Sequence, residues 1–423
     1  MATATQSVRE ICAQAKRAAI ELASIDTATK DAALAAVADA VEARAGEILE
    51  ANVHDLENGR AAGLDAALLD RLALDEDRIA LIAKGVRDVI ALDDPVGEEL
   101  ESRRLPNGLE LRKVRVPIGV VAIIYEARPN VTVDAAALAI KSGNAVLLRG
   151  SSTAEHSNAV LARVAATAAE ESGLPRGAVS LVGGGDRGDL IDLVRQEGLV
   201  DLVIPRGGDA LKQMLKENAT VPVIYAAAGN CHVYVDAGAD PEMARRIAFN
   251  AKVQRPGVCN ASETLLVHAD SAPAVLPGLL EDLSRAGVEL HTDERARSLA
   301  GAVADELLEA TEEDWATEYL GLKMAVKVVD GLEEAIDHVN RYGTGHSEAI
   351  VTQDDAAAER FTGAVDAACV YVNASTRFTD GGEFGMGAEM GNSTQKLHAR
   401  GPIGLRELTT TKYVVRGSGQ IRE

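Results

Sequence analysis

The sequence predicts an α/β protein: two α/β domains in series, each with a parallel-sheet core. Three observations predict it. Short β-branched runs alternate with helix-period stretches from Val116 onward. A second such series begins after Gly229. Each run is apolar at successive positions, as strands covered on both faces are. Strand–helix alternation of this kind gives parallel strands joined by right-handed crossovers.

Residues 5–92 read as helices. Leu34, Val37, Ala38 and Val41 recur at helical spacing, as do Ile79, Ile82, Ala83 and Val86. Glu98–Val116 carries Asn107-Gly108 between two alternating runs, which is a hairpin signal. Gly119–Ile124, Ala145–Arg149, Ala178–Val182 and Asp201–Ile204 are the first series of strands. Between them lie the helices Val131–Lys141, ended by Gly143, and Thr153–Ser172, ended by Gly173. The second series is His232–Val235, Glu263–Val267, Met324–Val329, Ala349–Thr352 and Cys369–Asn373. Thr409–Arg416 is a lone alternating strand. The hairpin and this strand have no place in the two domain sheets. They form either a platform that pairs with another subunit or a surface arm packed on its own chain.

Composition narrows the function. The chain has 423 residues, 65 acidic and 43 basic, for a formal charge of −22. At about 100–200 residues per domain, that length suits two or three domains. The acidic balance argues against nucleic acid, which requires a basic face. No apolar run reaches the ~18 residues a membrane span needs, and the first thirty residues lack a signal-peptide core, so the expected location is the cytoplasm. Four scattered cysteines do not make a disulfide framework, and no metal-binding spacing occurs, so no metal is expected.

Cys12 and Cys369 fall in core patterns, and Cys231 opens a strand beside His232, where neighbours point to opposite faces. Cys259 lies instead in a loop, Gln254–Ala261, between a helix and a strand, with Arg255 close in sequence. Reactive groups concentrate on such loops, which makes Cys259 the candidate nucleophile. Gly183, Gly185 and Gly188 form GxGxxG after a strand, where a dinucleotide fingerprint or an ordinary glycine-rich turn would sit. Arg206, Gly207 and Gly208 form a second strand-to-helix turn whose backbone N–H groups could hold a phosphate. Two more segments are dense in unusual residues: Tyr125–Asn130 and the glycine-rich stretch Asn373–Gly391, which holds Arg377 and Asp380.

Together these segments resemble the aldehyde dehydrogenase superfamily. The carrying residues are VPIGVVAIIYEARPNVTVDAAALAIKSGNAVLLRG from Val116, IPRGGDALK from Ile204, GNCHVYVD from Gly229, VQRPGVCNASETLLVH from Val253, NASTRFTDGGEFGMGAE from Asn373 and QKLHARGPIGL from Gln395. Within the superfamily the chain is similar to the gamma-glutamyl phosphate reductases of proline biosynthesis. The resemblance implies an NADPH-binding domain over 1–97 and 117–229 and a catalytic cysteine domain over 230–400. It also implies an oligomerisation platform over 98–116 and 401–423, hence a homo-oligomer. It makes Cys259 the nucleophile, Asn130 an oxyanion donor and Glu318 a ligand of the nicotinamide ribose. Arg149 stands where the superfamily usually has a cofactor-contacting lysine. Gly183 and Gly185 become cofactor-near residues, with Arg206, Gly207 and Gly208 beside them.

Two departures from the superfamily pattern carry information. Oxidising members have a glutamate base upstream of the cysteine; here Tyr225–Asn230 has no carboxylate. A reductase of an acyl phosphate must not hydrolyse its thioester, so this loss suits reduction of L-glutamyl 5-phosphate to the semialdehyde. After Arg149 come Ser151 and Ser152, without the carboxylate that would repel a 2′-phosphate, which points to NADPH. Expected substrate ligands are Arg377 with Ser375 and Thr376 for the carboxylate, Asp380 or Glu383 for the ammonium, Arg128 or Lys396 for the phosphate, and Arg255. Transient contact with glutamate 5-kinase is a further expected partnership. The alternatives are an oxidative aldehyde dehydrogenase acting on a semialdehyde, and a cysteine hydrolase using His232 or His398. Both ligands are anions and the chain is acidic, so the cleft itself is expected to be positive.

Overall fold

The computed structural model describes residues 6–183 and 186–422. The chain divides into two compact units: Met1–Ala226 with Gly385–Gly391 and Ile403–Glu423, and Ala227–Phe384 with Asn392–Pro402.

The first unit holds a four-stranded parallel sheet in the order Val179–Leu181, Ala145–Gly150, Val120–Tyr125, Leu202–Arg206. The two central strands are buried at every position, which is why they read as unbroken apolar runs. The helices Asn130–Lys141 and Glu155–Glu171 follow their strands, and Gly143 and Gly173 end them at positive φ as expected. The last strand runs two residues further than the sequence pattern, through Pro205 to Arg206. Pro205 is tolerated because the strand lies at the edge of the sheet. Lys141 and Lys30 are buried among the helices and pair with Asp31 and Asp94 at 2.6 and 2.5 Å.

The hairpin and the tail strand find each other. Glu99–Arg104, Glu110–Pro117 and Thr409–Arg416 form one antiparallel sheet, with Thr409 opposite Pro117 and Arg416 opposite Glu110. Its outer hairpin strand is exposed at every residue.

The second unit is a seven-stranded parallel sheet. Its order is Leu308–Glu309, Glu289–Thr292, Lys323–Val329, Ser262–His268, Cys231–Val235, Ser347–Val351, Cys369–Val372. Val233, Val235, Leu265 and Val267 pack on one face against the helices Pro241–Val253 and Ala272–Arg285. Tyr234, Leu266 and Ile350 pack on the other against Ile336, Val339 and Phe361. Glu289–Thr292 and Leu308–Glu309 carry no apolar run and were invisible to the sequence pattern. No helix among the described residues is long and apolar enough to cross a membrane.

Candidate active site

In the second unit the site grows from one helix-to-strand connection. Asp240 caps the helix Pro241–Val253 by accepting the Met243 N–H at 2.7 Å, and Pro241 pre-sets its first turn. The loop Gln254–Ala261 then brings Cys259 to a half-buried position ahead of the strand Ser262–His268. The Cys259 carbonyl accepts the Cys231 thiol at 3.2 Å. Gly229 lies flat on the same peptide: a Cβ there would sit 1.4 Å from the Cys259 oxygen. The Gly229 N–H donates to Glu318 Oε1 at 2.6 Å, so the candidate nucleophile loop and Glu318 share one glycine.

The glycine-rich stretch is stapled to this loop. Asn260 donates to the carbonyls of Thr379 (2.9 Å) and Arg377 (3.3 Å), and Thr376 Oγ1 donates to the Asn260 carbonyl at 2.6 Å. The Thr376 side chain is wholly buried, and its hydroxyl holds the loop. Ser375 is buried too, and its Oγ accepts the Arg377 N–H at 3.3 Å. Arg377 is half-buried, with Nε donating to Gln254 Oε1 at 2.9 Å. Burial and then the neighbouring Arg255 charge lower its pKa, while Cys259 and Asp380 act the other way. Arg377, Arg255, Asp380 and Cys259 are thus neighbours, with two guanidiniums against one carboxylate. Asp380 is exposed and caps the turn that leads to exposed Glu383, accepting the N–H groups of Gly382 and Glu383.

Lys396 is exposed. It pairs with Asp366, which Arg400 also holds, beside a cavity of about 490 Å³. No residue of the nucleophile loop lines that cavity. A charge of the right sign had a carboxylate of its own, thirty residues earlier in the chain. His232 is fully buried with Nδ1 on Glu348 at 3.0 Å, on a strand whose preceding residue, Cys231, points at Cys259. His398 is exposed on the segment after Lys396.

In the first unit, Tyr125, Gly150 and Arg206 lie side by side where their parallel strands end. Ligands bind at that edge of open α/β sheets. A cavity of about 360 Å³ opens there, lined by Arg71, Glu126, Arg128, Arg206, Gly207 and Gly208 among others. Three guanidiniums face one carboxylate, a positive wall on an acidic chain. Gly207 packs closely here: a Cβ would lie 2.7 Å from Glu126 Oε1 and from a Leu211 methyl, so both side chains would have to shift to admit one. Asn130 opens the helix at this edge, and its Nδ2 donates to Asp134 Oδ2 at 2.8 Å. Burial pushes the Asp134 carboxyl up to about 6.

Arg149 is buried at the next strand end; it donates to the carbonyls of Gly150 and, at 2.9 Å, Asp186. Burial lowers its pKa, and Asp189, Asp186 and Glu155 around it work against that. Its Nε and the Ser151 hydroxyl are buried without a hydrogen-bond partner. Such orphaned donors at the edge of a parallel sheet fit a nucleotide that brings its own acceptors. Ser152 is exposed in the single 3-10 turn that follows, and Gly183 is exposed at φ 62°. Gly185 lies outside the described residues. Among the described residues no group of three or more His, Cys, Asp or Glu is placed to hold a metal ion.

Sequence reasoning missed two parts of the site. Gly229 gave no local signal, because its need for glycine is a contact across the fold. Lys252 and Glu263 form a wholly buried pair at 2.5 Å on either side of the nucleophile loop. Their signal was faint: Lys252 lies between Ala251 and Val253, but Glu263 lies between Ser262 and Thr264, and neither stretch marks a buried charge.

The family model for the aldehyde dehydrogenase family matches residues 1–315 and 308–414. The chain belongs to the aldehyde dehydrogenase family. Within it, the chain is 56% identical over 417 residues to the gamma-glutamyl phosphate reductase of Thermobifida fusca (strain YX), covering 99% of each chain. It is 56% identical over 409 residues to that of Syntrophomonas wolfei, covering 97% of each. The crystal structure of gamma-glutamyl phosphate reductase from Thermotoga maritima superposes with a TM-score of 0.96 at 46% identity, over 99% of this chain and 100% of that one. As a member of the family, this chain is an oxidoreductase acting on an aldehyde, with a nicotinamide dinucleotide as cofactor.

Proposed function

We propose that the chain reduces L-glutamyl 5-phosphate to L-glutamate 5-semialdehyde and phosphate, with NADPH as reductant. The observation that carries this reading is the near-full-length likeness to reductases named for that substrate. The site agrees with it: Ala227, Ala228 and Gly229, the last lying on the Cys259 peptide, supply no carboxylate to activate water.

The Cys259 sulfur attacks the γ-acyl carbon. A C–S bond forms, the C–O bond to phosphate breaks, and the phosphate leaves with the bonding pair. Asn130 is assigned the role of oxyanion donor; its amide gives one hydrogen to Asp134 and carries a second. A nicotinamide cofactor held by Glu318, Arg206–Gly208 and Arg149–Ser152 would supply the hydride for the thioester carbon. Collapse of the thiohemiacetal breaks the C–S bond, releases the aldehyde and returns the thiolate. Arg377 and Arg255 hold the α-carboxylate, Asp380 or Glu383 the ammonium, and Arg128 the phosphate. Glu318 holds the nicotinamide ribose, and Arg206–Gly208 and Arg149–Ser152 the phosphates of the cofactor. NADPH is favoured because no carboxylate stands at 150–152 and the Ser151 hydroxyl has no partner. Cofactor binding is assigned to 1–97 and 117–229 and chemistry to 230–400. The antiparallel sheet of 98–116 and 401–423, with Tyr413 and Val415 exposed, is assigned to pairing with a second copy.

The reverse reaction tests the reading. Glutamate semialdehyde and NADP⁺ should yield NADPH only when inorganic phosphate is added. An equal rate without phosphate would establish the oxidative alternative. Arg377→Lys is expected to raise the substrate KM about tenfold, because lysine loses the planar two-point contact with a carboxylate. An unchanged KM removes Arg377 from the carboxylate site.

A further inference from the structure

We infer that the buried Lys252–Glu263 pair is a positioning device that sets the Cys259 loop and the Glu318 turn together. The inference rests on the proposed roles of Cys259 and Glu318.

The two side chains are completely buried, and Lys252 Nζ meets Glu263 Oε2 at 2.5 Å. Lys252 stands in the last turn of the helix before the nucleophile loop, and Glu263 is the second residue of the strand after it. Their pairing closes the loop Gln254–Ala261 at its base. The second carboxylate oxygen does something different. Glu263 Oε1 accepts the Leu320 N–H at 3.3 Å, two residues after Glu318. Leu320 has φ 53°, in the left-handed region that a leucine adopts only when its surroundings hold it there. Glu318 reaches back to the Gly229 N–H, and Gly229 lies on the Cys259 peptide.

The contacts form a closed ring. It runs from Cys259 through Gly229, Glu318, Leu320, Glu263 and Lys252, and back along the loop to Cys259. A shift of the carboxylate at one point moves both the thiol and the cofactor-side glutamate. Burial raises the pKa of Glu263 and lowers that of Lys252, so the site bears the desolvation of two charges. An apolar pair of similar volume would fill the same space without that cost and is often neutral or better for stability. Packing alone therefore does not account for an ion pair here. The hydrogen bonds from one carboxylate to two different segments do.

The test separates the two arms. Lys252→Met with Glu263→Met removes both charges and the acceptor for Leu320. Lys252→Met with Glu263→Gln removes the charges and keeps an acceptor. Two readouts need no turnover: the NADPH dissociation constant by fluorescence, and the rate of Cys259 alkylation by iodoacetamide, followed by peptide mass spectrometry. The Met/Met enzyme should bind NADPH about tenfold more weakly and change its alkylation rate several-fold, as displacements near 1 Å do. The Met/Gln enzyme should recover NADPH affinity to within twofold while its alkylation rate stays altered. If Met/Met does not fold, Met/Gln decides by the same two numbers. Wild-type values for both in a folded variant would overturn the inference and leave the pair a core element. If Glu318→Gln binds NADPH as tightly as wild type, the reading of Glu318 has failed instead, and the alkylation arm still decides the role of the pair.

Discussion

Cys259→Ala is expected to lose NADPH oxidation with glutamyl phosphate by roughly a million-fold, the scale on which removal of an enzymatic nucleophile is felt. The loss should be confined to chemistry. One hydrogen bond at this residue is made by the backbone carbonyl, which accepts the Cys231 thiol and survives the substitution. NADPH affinity and melting temperature should stay close to wild type. Cys231 cannot take over: it is wholly buried, and burial drives its thiol pKa well upward, away from thiolate. Normal turnover in the alanine variant would remove covalent catalysis by Cys259 from the mechanism.

The second unit shows what a sequence can and cannot disclose. Cys231–Val235 and Ser262–His268 were legible as strands because a parallel sheet covered on both faces demands apolar residues at successive positions. Cys259 was legible because its loop interrupts that texture. The Asn107-Gly108 hairpin was legible from local backbone chemistry, with Gly108 at φ 83°. Its union with Thr409–Arg416 was not, because the partners are some three hundred residues apart and alternation alone does not name a partner. The partners of two further residues were hidden for the same reason. Lys396 and Thr376 have the chemistry a substrate needs, but Asp366 and the Asn260 carbonyl had already engaged them. Residue type states what a side chain is able to bind, and only the fold states what it has left to bind with.

Gly229→Ala should be the most damaging substitution of a residue with no side chain at all. Its Cβ would fall 1.4 Å from the Cys259 oxygen, 2.3 Å from the carbonyl carbon and 2.7 Å from Cα. All three are backbone atoms, so no rotamer change relieves the clash. Either the Cys259 peptide or the residue-229 backbone must move by more than an ångström. The first movement displaces the nucleophile and the second breaks the 2.6 Å bond to Glu318. Displacements of about 1 Å in a reacting geometry cost on the order of a hundredfold in rate, so kcat/KM should fall at least that far. Gly257 in the same loop supplies the control. A Cβ there meets nothing closer than the Leu320 carbonyl at 3.6 Å, an ordinary contact, so Gly257→Ala should stay within a few-fold of wild type. If the two variants lose activity equally, general loop flexibility explains the effect better than the packing of Gly229 on Cys259. If only Gly229→Ala fails, and Cys259 alkylation changes with it, the glycine is there to let the backbone approach the nucleophile.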